Sequence, residues 1–404
     1  MIHAVSGTDT THNASLASRT VHMVIKTNAL IYDDRFRKEV QSLTRMGCRV
    51  SASIVEDANI KKNQHSYEDG VEHSFHVLSL VTRKLVASRI FVLFHLIEFV
   101  LRACWHIARK RPNVVWIHDP ILLVFMPVLC LFRAIGLIER IVWDQHELPV
   151  KRIDSSKLLR TVFGTFCRGA DYLVAANQQR LDYLAEHYSG VRRVHGAVIR
   201  NFSDAVFVEQ PVKPLPEALQ QWLNGREYFL VQSGLVELRQ FRAVAETIIP
   251  NANLPVIVAV GGGNTALIDE YRERFGTAFD ERVYLIGKVP QMELTRYLDS
   301  AVASLIFYQQ SYGINNWLCE PNRLFQALNR SVPVIVGNNP PMREILNSYP
   351  LGQVTDDDGT NAKLLSKAIQ HFMERREHIE PLSSAQRLQL SWASQDATIQ
   401  RLVA

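Results

Sequence analysis

The stretch "VVWIHDP" (Val114–Pro120) and its echo "RIVWDQHELP" (Arg140–Pro149) decide how this chain folds. Each begins as a run of strand-forming apolar residues and stops abruptly on polar or rigid ones. The first ends in His118, Asp119 and Pro120, the second in Asp144, His146 and Glu147. A run apolar on both faces is what a strand inside a parallel sheet needs. In open α/β sheets ligands bind beyond the carboxyl ends of the strands. Two polar endings in one half of the chain therefore predict one shared crevice.

Outward from these strands, short β-rich runs alternate with helix-length segments, the pattern of repeated βαβ units. Strands are expected near 21–27, 49–55, 75–80, 114–118, 140–144, 171–175 and 196–200, with helices at 34–47, 85–109, 121–135 and 178–188. "VFVEQPVKPLPEALQQW" (206–222), with three prolines, reads as a linker. Beyond it the pattern restarts, with strands near 228–232, 255–260, 282–286, 302–306 and 333–336. The chain, at 404 residues, is too long for one ordinary core. The predicted class is α/β, with two Rossmann-like doubly wound domains facing across a cleft. A disordered leader (1–20) precedes an N-terminal domain (21–205). A linker (206–226) leads to a C-terminal domain (227–382), and a closing helix (383–404) crosses back to the first.

Composition narrows the function. With 47% hydrophobic and 21% charged residues the chain is globular. Five scattered cysteines, never spaced C-x-x-C, argue against disulfides or zinc and for a reducing cytoplasm. The net charge of +5 is concentrated in the first half, which suits an anionic partner. Nucleic acid is disfavoured, because no zinc finger or helix-turn-helix appears and the cations are not interleaved with exposed aromatics. The leader lacks an apolar core of signal-peptide length. Residues 121–132 are apolar but too short to span a bilayer, and carry Pro127. Residues 89–112 mix aromatics and aliphatics and end on Arg109, Lys110 and Arg111. They fit either a helix lying on an anionic membrane, on the inner face, or one that simply covers the sheet. The charged segment 55–74 reads as a surface loop. His65, His73 and His76 share no helical face and read as solvated.

Two stretches in the second half bear on ligands. "VIVAVGGGNTALIDEY" (256–271) follows a strand and opens a helix, so its glycines let backbone approach a phosphate or simply make a tight turn. It is not the G-x-G-x-x-G of dinucleotide binders. In "EPNRLFQALNRSVPVIV" (320–336), Pro321 fits a first helical turn and Glu320 a cap. Asn322, Arg323 and Gln326 then share the cleft-facing side. Such a helix end with an arginine and amides would cradle a diphosphate. Asp356, Asp357 and Asp358 read as a turn, not a metal motif.

The order of these motifs resembles the GT-B glycosyltransferases of the family 4 type over nearly the whole chain after residue 20. "NALIYDDRFRKEVQSLTRMGCRV", "VVWIHDP", "VWDQHELP", "VIRNFSD", "VQSGLVELR", "EPNRLFQALNRSVPVIV" and "LSWASQDATIQRLVA" are similar to its segments in order. The resemblance implies a nucleoside-diphosphate sugar as donor and no metal or other cofactor, with the anomeric configuration retained. It places His118 near the donor sugar and Arg239 at the departing diphosphate. Gly234 falls in the loop opening the second domain, and Asn322 and Arg323 beside the pyrophosphate. Gln326 stands where the family has the second glutamate of a pair. The first is expected at Leu318, with Glu320 nearby as a replacement, and Leu235 stands where an arginine is frequent. Asn28, Arg35 and His146 fall on the acceptor side, and Glu147 or Asp144 would position or deprotonate the acceptor hydroxyl. The implied reaction is sugar transfer to a lipid-linked saccharide in surface polysaccharide or glycolipid synthesis. A non-catalytic relative serving as a scaffold, or a nucleotide-sugar epimerase, are the alternatives.

Overall fold

The computed structural model describes Leu16, residues 18–28, Leu30, and residues 33–57, 74–82, 92–263 and 265–404. Two compact units result: one ends at Arg200 and takes in Gln395–Ala404, the other is Asn201–Ser394. Most of the predicted leader lies outside the described residues, although Leu16 is buried and Thr20 already begins a strand.

The first unit is a seven-stranded parallel sheet, ordered β3-β2-β1-β4-β5-β6-β7. Its strands are β1 (Thr20–Thr27), β2 (Arg49–Glu56), β3 (Ser74–Val77), β4 (Val114–His118), β5 (Arg140–Gln145), β6 (Tyr172–Ala175) and β7 (His195–Val198). Chain direction across the sheet switches between β1 and β4, which is where such sheets open a crevice at their carboxyl edge. Every residue of β4 is buried, as its unbroken apolar run requires, and the register sets His118 opposite Asp144. Helix α1 (Asp34–Arg45) starts where the Asp33 carboxylate accepts from Phe36 N–H.

Helix α2 (Val92–Lys110) buries Phe99, Ala103, Cys104 and Ile107, and leaves Phe94, Ile97, Leu101 and Trp105 exposed along its other side. Among the described residues no helix is long and apolar enough to cross a membrane. The single helix expected over 121–135 is split. A 3-10 segment, Pro120–Phe125, precedes α3 (Met126–Ala134), whose first turn contains Pro127. Proline lacks the N–H that a helix interior needs, so the α-helix begins there instead of running through it. Helices α4 (Lys157–Cys167) and α5 (Gln178–His187) follow β5 and β6. His65 and His73 lie outside the described residues, while the His76 ring stacks on His106 at 4.3 Å between centroids.

The second unit is a six-stranded parallel sheet, β10-β9-β8-β11-β12-β13. It contains β8 (Tyr228–Val231), β9 (Val256–Val260), β10 (Val283–Ile286), β11 (Ala303–Ile306), β12 (Val334–Val336) and β13 (Gly352–Val354). Strand β13 escaped prediction because it is a three-residue edge strand containing a glycine and a glutamine. Helix α6 (Phe241–Ile248) follows β8, and α7 (Asn322–Asn329) connects β11 to β12. The Pro-rich segment is not a free linker. It forms short helices at Ala205–Val208 and Glu217–Leu223, and Phe207, Leu219 and Leu223 are buried in the core of this unit. Their apolar burial outweighs the local proline signal. The closing segment is likewise divided: Ser384–Gln389 belongs to the second unit, and α8 (Asp396–Val403) to the first. There Ser42 Oγ on α1 donates to Asp396 Oδ1 at 3.0 Å. None of the five cysteines forms a disulfide.

One close backbone approach holds α4 against the turn after α5. A Cβ added at Gly190 would lie 1.5 Å from the Gly164 carbonyl oxygen. Gly190→Ala is therefore expected to destabilise the first unit by about 1–3 kcal/mol. Thermal unfolding tests this, and an unchanged melting temperature would show that the contact relaxes freely.

Candidate functional site

At the carboxyl ends of β4 and β5 the first unit buries a charged network. Arg35, from α1, donates through Nε to Asp144 Oδ2 at 2.8 Å and through Nη2 to Asp144 Oδ1 at 3.0 Å. Its Nη1 donates to the Ile199 carbonyl at 2.8 Å. One turn along α1, Glu39 places Oε1 3.1 Å from Arg35 Nε and Oε2 3.6 Å from His118 Nε2. The other His118 nitrogen, Nδ1, stands 3.9 Å from Asp144 Oδ2. None of Asp144, Glu39 and His118 has appreciable exposed surface.

Charge state follows from this packing. Burial would raise the Asp144 carboxyl, but Arg35, with His146 and His118 in support, outweighs it and holds the group at about 2. Glu39 moves the opposite way: burial and the neighbouring Asp144 charge push it well up, and Arg35 only partly compensates. For His118, burial dominates and lowers the imidazole to about 3, although Asp144 pulls it up. The cluster thus holds an ionised pair, Arg35 with Asp144, beside a neutral carboxylic acid and a neutral imidazole.

Asp119 sits just above in strained backbone, with φ 66° and ψ 149°, a region nearly reserved for glycine. Two hydrogen bonds across the strand ends hold it there. Its N–H donates to the Asp144 carbonyl at 2.8 Å, and Trp143 Nε1 donates to the Asp119 carbonyl at 3.0 Å. The result aims the Asp119 carboxylate at His146, with Oδ1 3.2 Å from Nε2. His146 and Asp119 remain 24% and 23% exposed, whereas the His118 side chain is 1% exposed.

The sequence-based roles shift accordingly. His118 is buried behind His146 instead of lining an open surface. Asp144 and Arg35 neutralise each other below the surface, so Asp144 has no free oxygen face for an acceptor hydroxyl. Glu147 and Asn28 are exposed at the same sheet edge. Glu39 was missed, and Asp119, expected at the crevice as a polar strand ending, had no predicted role of its own. The i, i+4 spacing of Arg35 and Glu39 on one helix face was the available signal for the first. His118, Asp144 and His146 bring ligand atoms within 4.8 Å of one another, a spacing that fits a metal ion. Both Asp144 oxygens already accept from a guanidinium, however, so a cation there would face Arg35 directly.

In the second unit the switch between neighbouring strands falls at β8 and β11, and both succeeding loops carry cations to one ring. Arg239 Cζ lies 3.6 Å, and Arg323 Cζ 4.7 Å, from the centroid of the Tyr308 ring. Tyr308 is buried, which raises its phenol although both arginines oppose the shift. Arg323 Nε and Nη2 are buried without hydrogen-bond partners. Two cations therefore converge, Arg323 with donors to spare, an arrangement that attracts an anion.

Helix α7 differs in detail from its prediction. Pro321 occupies the cap position with no side-chain hydrogen bond, so Glu320 does not cap; it is buried and its carbonyl accepts from Asn201 Nδ2 at 3.3 Å. Arg323 and Gln326 are buried and Asn322 half-buried, because loop 307–320 lies over that side. Asp357 and Asp358 accept from Gly359 N–H, Asn361 N–H and Gln310 N–H, and so serve the turn.

Beside this lies a cavity of about 650 Å³ lined by Ser233, Leu235, Glu237, Gly262, Glu270 and Lys288. Gly234 is indispensable to its shape. Its φ is +63°, and a Cβ there would stand 1.8 Å from the Gly262 carbonyl oxygen. Glu237 and Glu270 at the rim are bridged by Arg242 at 2.8 and 2.9 Å.

Solved structures share this architecture. Sucrose-phosphate synthase from Thermosynechococcus elongatus superposes with a TM-score of 0.71 at 14% identity, covering 95% of this chain and 98% of that one. A UDP-forming trehalose-phosphate synthase from Burkholderia xenovorans gives 0.68 at 11%, covering 96% and 99%. Anabaena HepE, solved with UDP-glucose, gives 0.66 at 13%, covering 95% and 98%. The fold is GT-B. No family model matches the chain, and no curated protein does. At such low identity the GT-B fold fixes the scaffold and leaves the site to be argued from its own residues.

Protonation of the buried network is testable. His118 is held at about 3, against 6.5 when unfolded. Between those values the unfolded chain binds the proton and the folded chain does not, so stability falls as pH drops through that window. Glu39 works in reverse: its raised carboxyl contributes stability below about 4.5 that is lost as pH rises through the folded value. His118→Gln is expected to reduce the stability lost between pH 6.5 and about 5 by roughly 2 kcal/mol. Urea unfolding at both pH values reads this directly, and an unchanged difference counts against a neutral buried imidazole.

Proposed function

We propose that this protein is a glycosyltransferase that moves a sugar from a nucleoside-diphosphate sugar to a hydroxyl of a saccharide. One observation carries the reading: Arg239 and Arg323 meet at Tyr308, at the strand switch of the second unit, and Arg323 keeps two buried guanidinium N–H groups without a hydrogen-bond partner. When the bond between the anomeric carbon and the diphosphate breaks, the leaving oxygen takes the electron pair. Preset cations at that oxygen lower the barrier. The adjoining cavity, with Gly234 and Gly262 backbone, Glu237 and Lys288, would take the nucleoside, while Asn322, Gln326 and Glu320 would hold sugar or ribose hydroxyls.

On the first unit, His146 with Asp119 is the exposed pair suited to a sugar hydroxyl, and Glu147 the exposed carboxylate suited to the acceptor proton. His118, Glu39, Arg35 and Asp144 stiffen that pair from behind. Asn28 and His146 would face the acceptor. No metal or other cofactor is invoked, because the guanidinium groups supply the positive charge the leaving group needs. Retention of anomeric configuration is part of this proposal.

The acceptor is proposed to be a lipid-linked saccharide at the cytoplasmic face of a membrane, in polysaccharide or glycolipid synthesis. The exposed Phe94, Ile97, Leu101 and Trp105 of α2, ending on Arg109, Lys110 and Arg111, support contact with an anionic surface. A second reading, a non-catalytic relative, draws on Leu318 and Gln326, which stand where the family carries two glutamates.

Thermal-shift titration with uridine, guanosine and thymidine diphosphate sugars should raise the melting temperature for one base. Arg323→Ala and Arg239→Ala should each lower kcat/KM about a hundredfold or more with that donor. Donor stabilisation without transfer to any saccharide would favour the non-catalytic reading. Absence of stabilisation by every donor would remove both. With the active donor, a chelator should leave the rate unchanged; loss of rate would reassign His118, Asp144 and His146 to a metal.

A further inference from the structure

The first unit carries a second charged feature that glycosyl transfer does not use. An open cavity of about 540 Å³ lies between α4 and the segment that follows α5. Lys157 and Arg160 enter it from α4, and Arg192 and Arg193 from the turn before β7. Only one carboxylate, Glu186, lines the same space. Arg192 donates through Nε to the Ala185 carbonyl at 2.9 Å, which points its guanidinium along the wall. The side chains of Lys157, Arg160 and Arg193 form no hydrogen bond or ion pair with any described residue. Four cations gathered around one acid repel one another unless an anion joins them.

The cavity walls are preset. The contact of Gly190 with the Gly164 backbone, already described, clamps the Ser189–Arg193 turn onto α4. On the adjoining arc of α4 stand Leu158, Leu159 and Val162, which are 71%, 37% and 37% exposed. A helix that sets leucines next to cations, both outward, matches the interfacial pattern in which cations meet headgroups and apolar side chains enter the acyl boundary. A soluble phosphate ligand would need the cations and leave the leucines unexplained.

We propose that this groove binds the phosphate group of an anionic membrane lipid, with Leu158, Leu159 and Val162 inserted beside it. This contact is separate from α2, and it goes beyond the membrane reading given above without depending on transferase activity. It gives the first unit a second anchor, selective for anionic lipid.

The experiment is co-flotation of the full chain with vesicles of phosphatidylcholine, alone or in equal parts with phosphatidylglycerol. The chain should bind the mixed vesicles and not the neutral ones. Arg160→Gln and Arg193→Gln should each weaken that binding about fivefold. Leu158→Ser should weaken it too, and Glu186→Gln, which removes the opposing charge, should strengthen it. All four positions are on the surface, and unchanged melting temperatures confirm folding. Binding unaffected by Arg160→Gln and Arg193→Gln overturns the proposal, as does equal binding to neutral vesicles. If only Leu101→Ser and Trp105→Ser on α2 abolish flotation, the α2 contact stands and this one falls. Displacement by millimolar glycerol phosphate or by a short oligonucleotide would assign the groove to a soluble anion or nucleic acid instead, and so also overturn it.

Discussion

The first unit is organised around one ion pair. Arg35 and Asp144 come from α1 and β5, meet with two hydrogen bonds, and are almost wholly removed from water. A buried pair of this kind is tolerated only when geometry is good and the remaining donors are satisfied, as the Ile199 carbonyl does here. Its consequences spread outward. Burial, reinforced by the charge of the pair's negative end, makes Glu39 hold its proton. Burial keeps His118 neutral. The β5 backbone next to Asp144 then fixes Asp119 in its strained conformation. Removing either partner would leave an uncompensated charge beneath the only half-exposed histidine of the cluster.

The second unit solves the opposite electrostatic problem. It gathers two cations, Arg239 and Arg323, against the Tyr308 ring. An aromatic face stabilises a guanidinium modestly while leaving its N–H edges free. Arg323 thus keeps buried N–H donors available, as the proposed diphosphate site requires before its ligand arrives. The interlocked glycines 234 and 261 serve the same end, because backbone can come close only where no Cβ intrudes.

A shared logic links these two sites with the groove on α4. In each, parallel strands bring residues distant in sequence to one edge, or a helix and a turn to one wall, and ionisable groups gather either with opposite charge or with like charge. The compensated set, around Asp144, rigidifies. The cationic sets, at Tyr308 and between Lys157 and Arg193, are places to look for anions.

The sequence by itself determined the two α/β halves. Strands buried on both faces must be apolar throughout, and that pattern is local, so β1, β2, β4–β6 and β8–β12 were legible to within a residue or two. Local signals also placed the polar strand endings and the arginine at the start of α7. Only the tertiary structure decided which of those polar groups meets solvent. His118 and His146 look alike in sequence, yet α1 covers the first and leaves the second half open. Glu39 and Tyr308 carry no motif, and their roles arise from neighbours more than a hundred residues away or on another element. The 206–222 segment was misread for the same reason: prolines are visible locally, whereas the core that Phe207 and Leu219 enter is assembled from distant strands. Burial is a property of the whole chain's packing, and no window of sequence contains it.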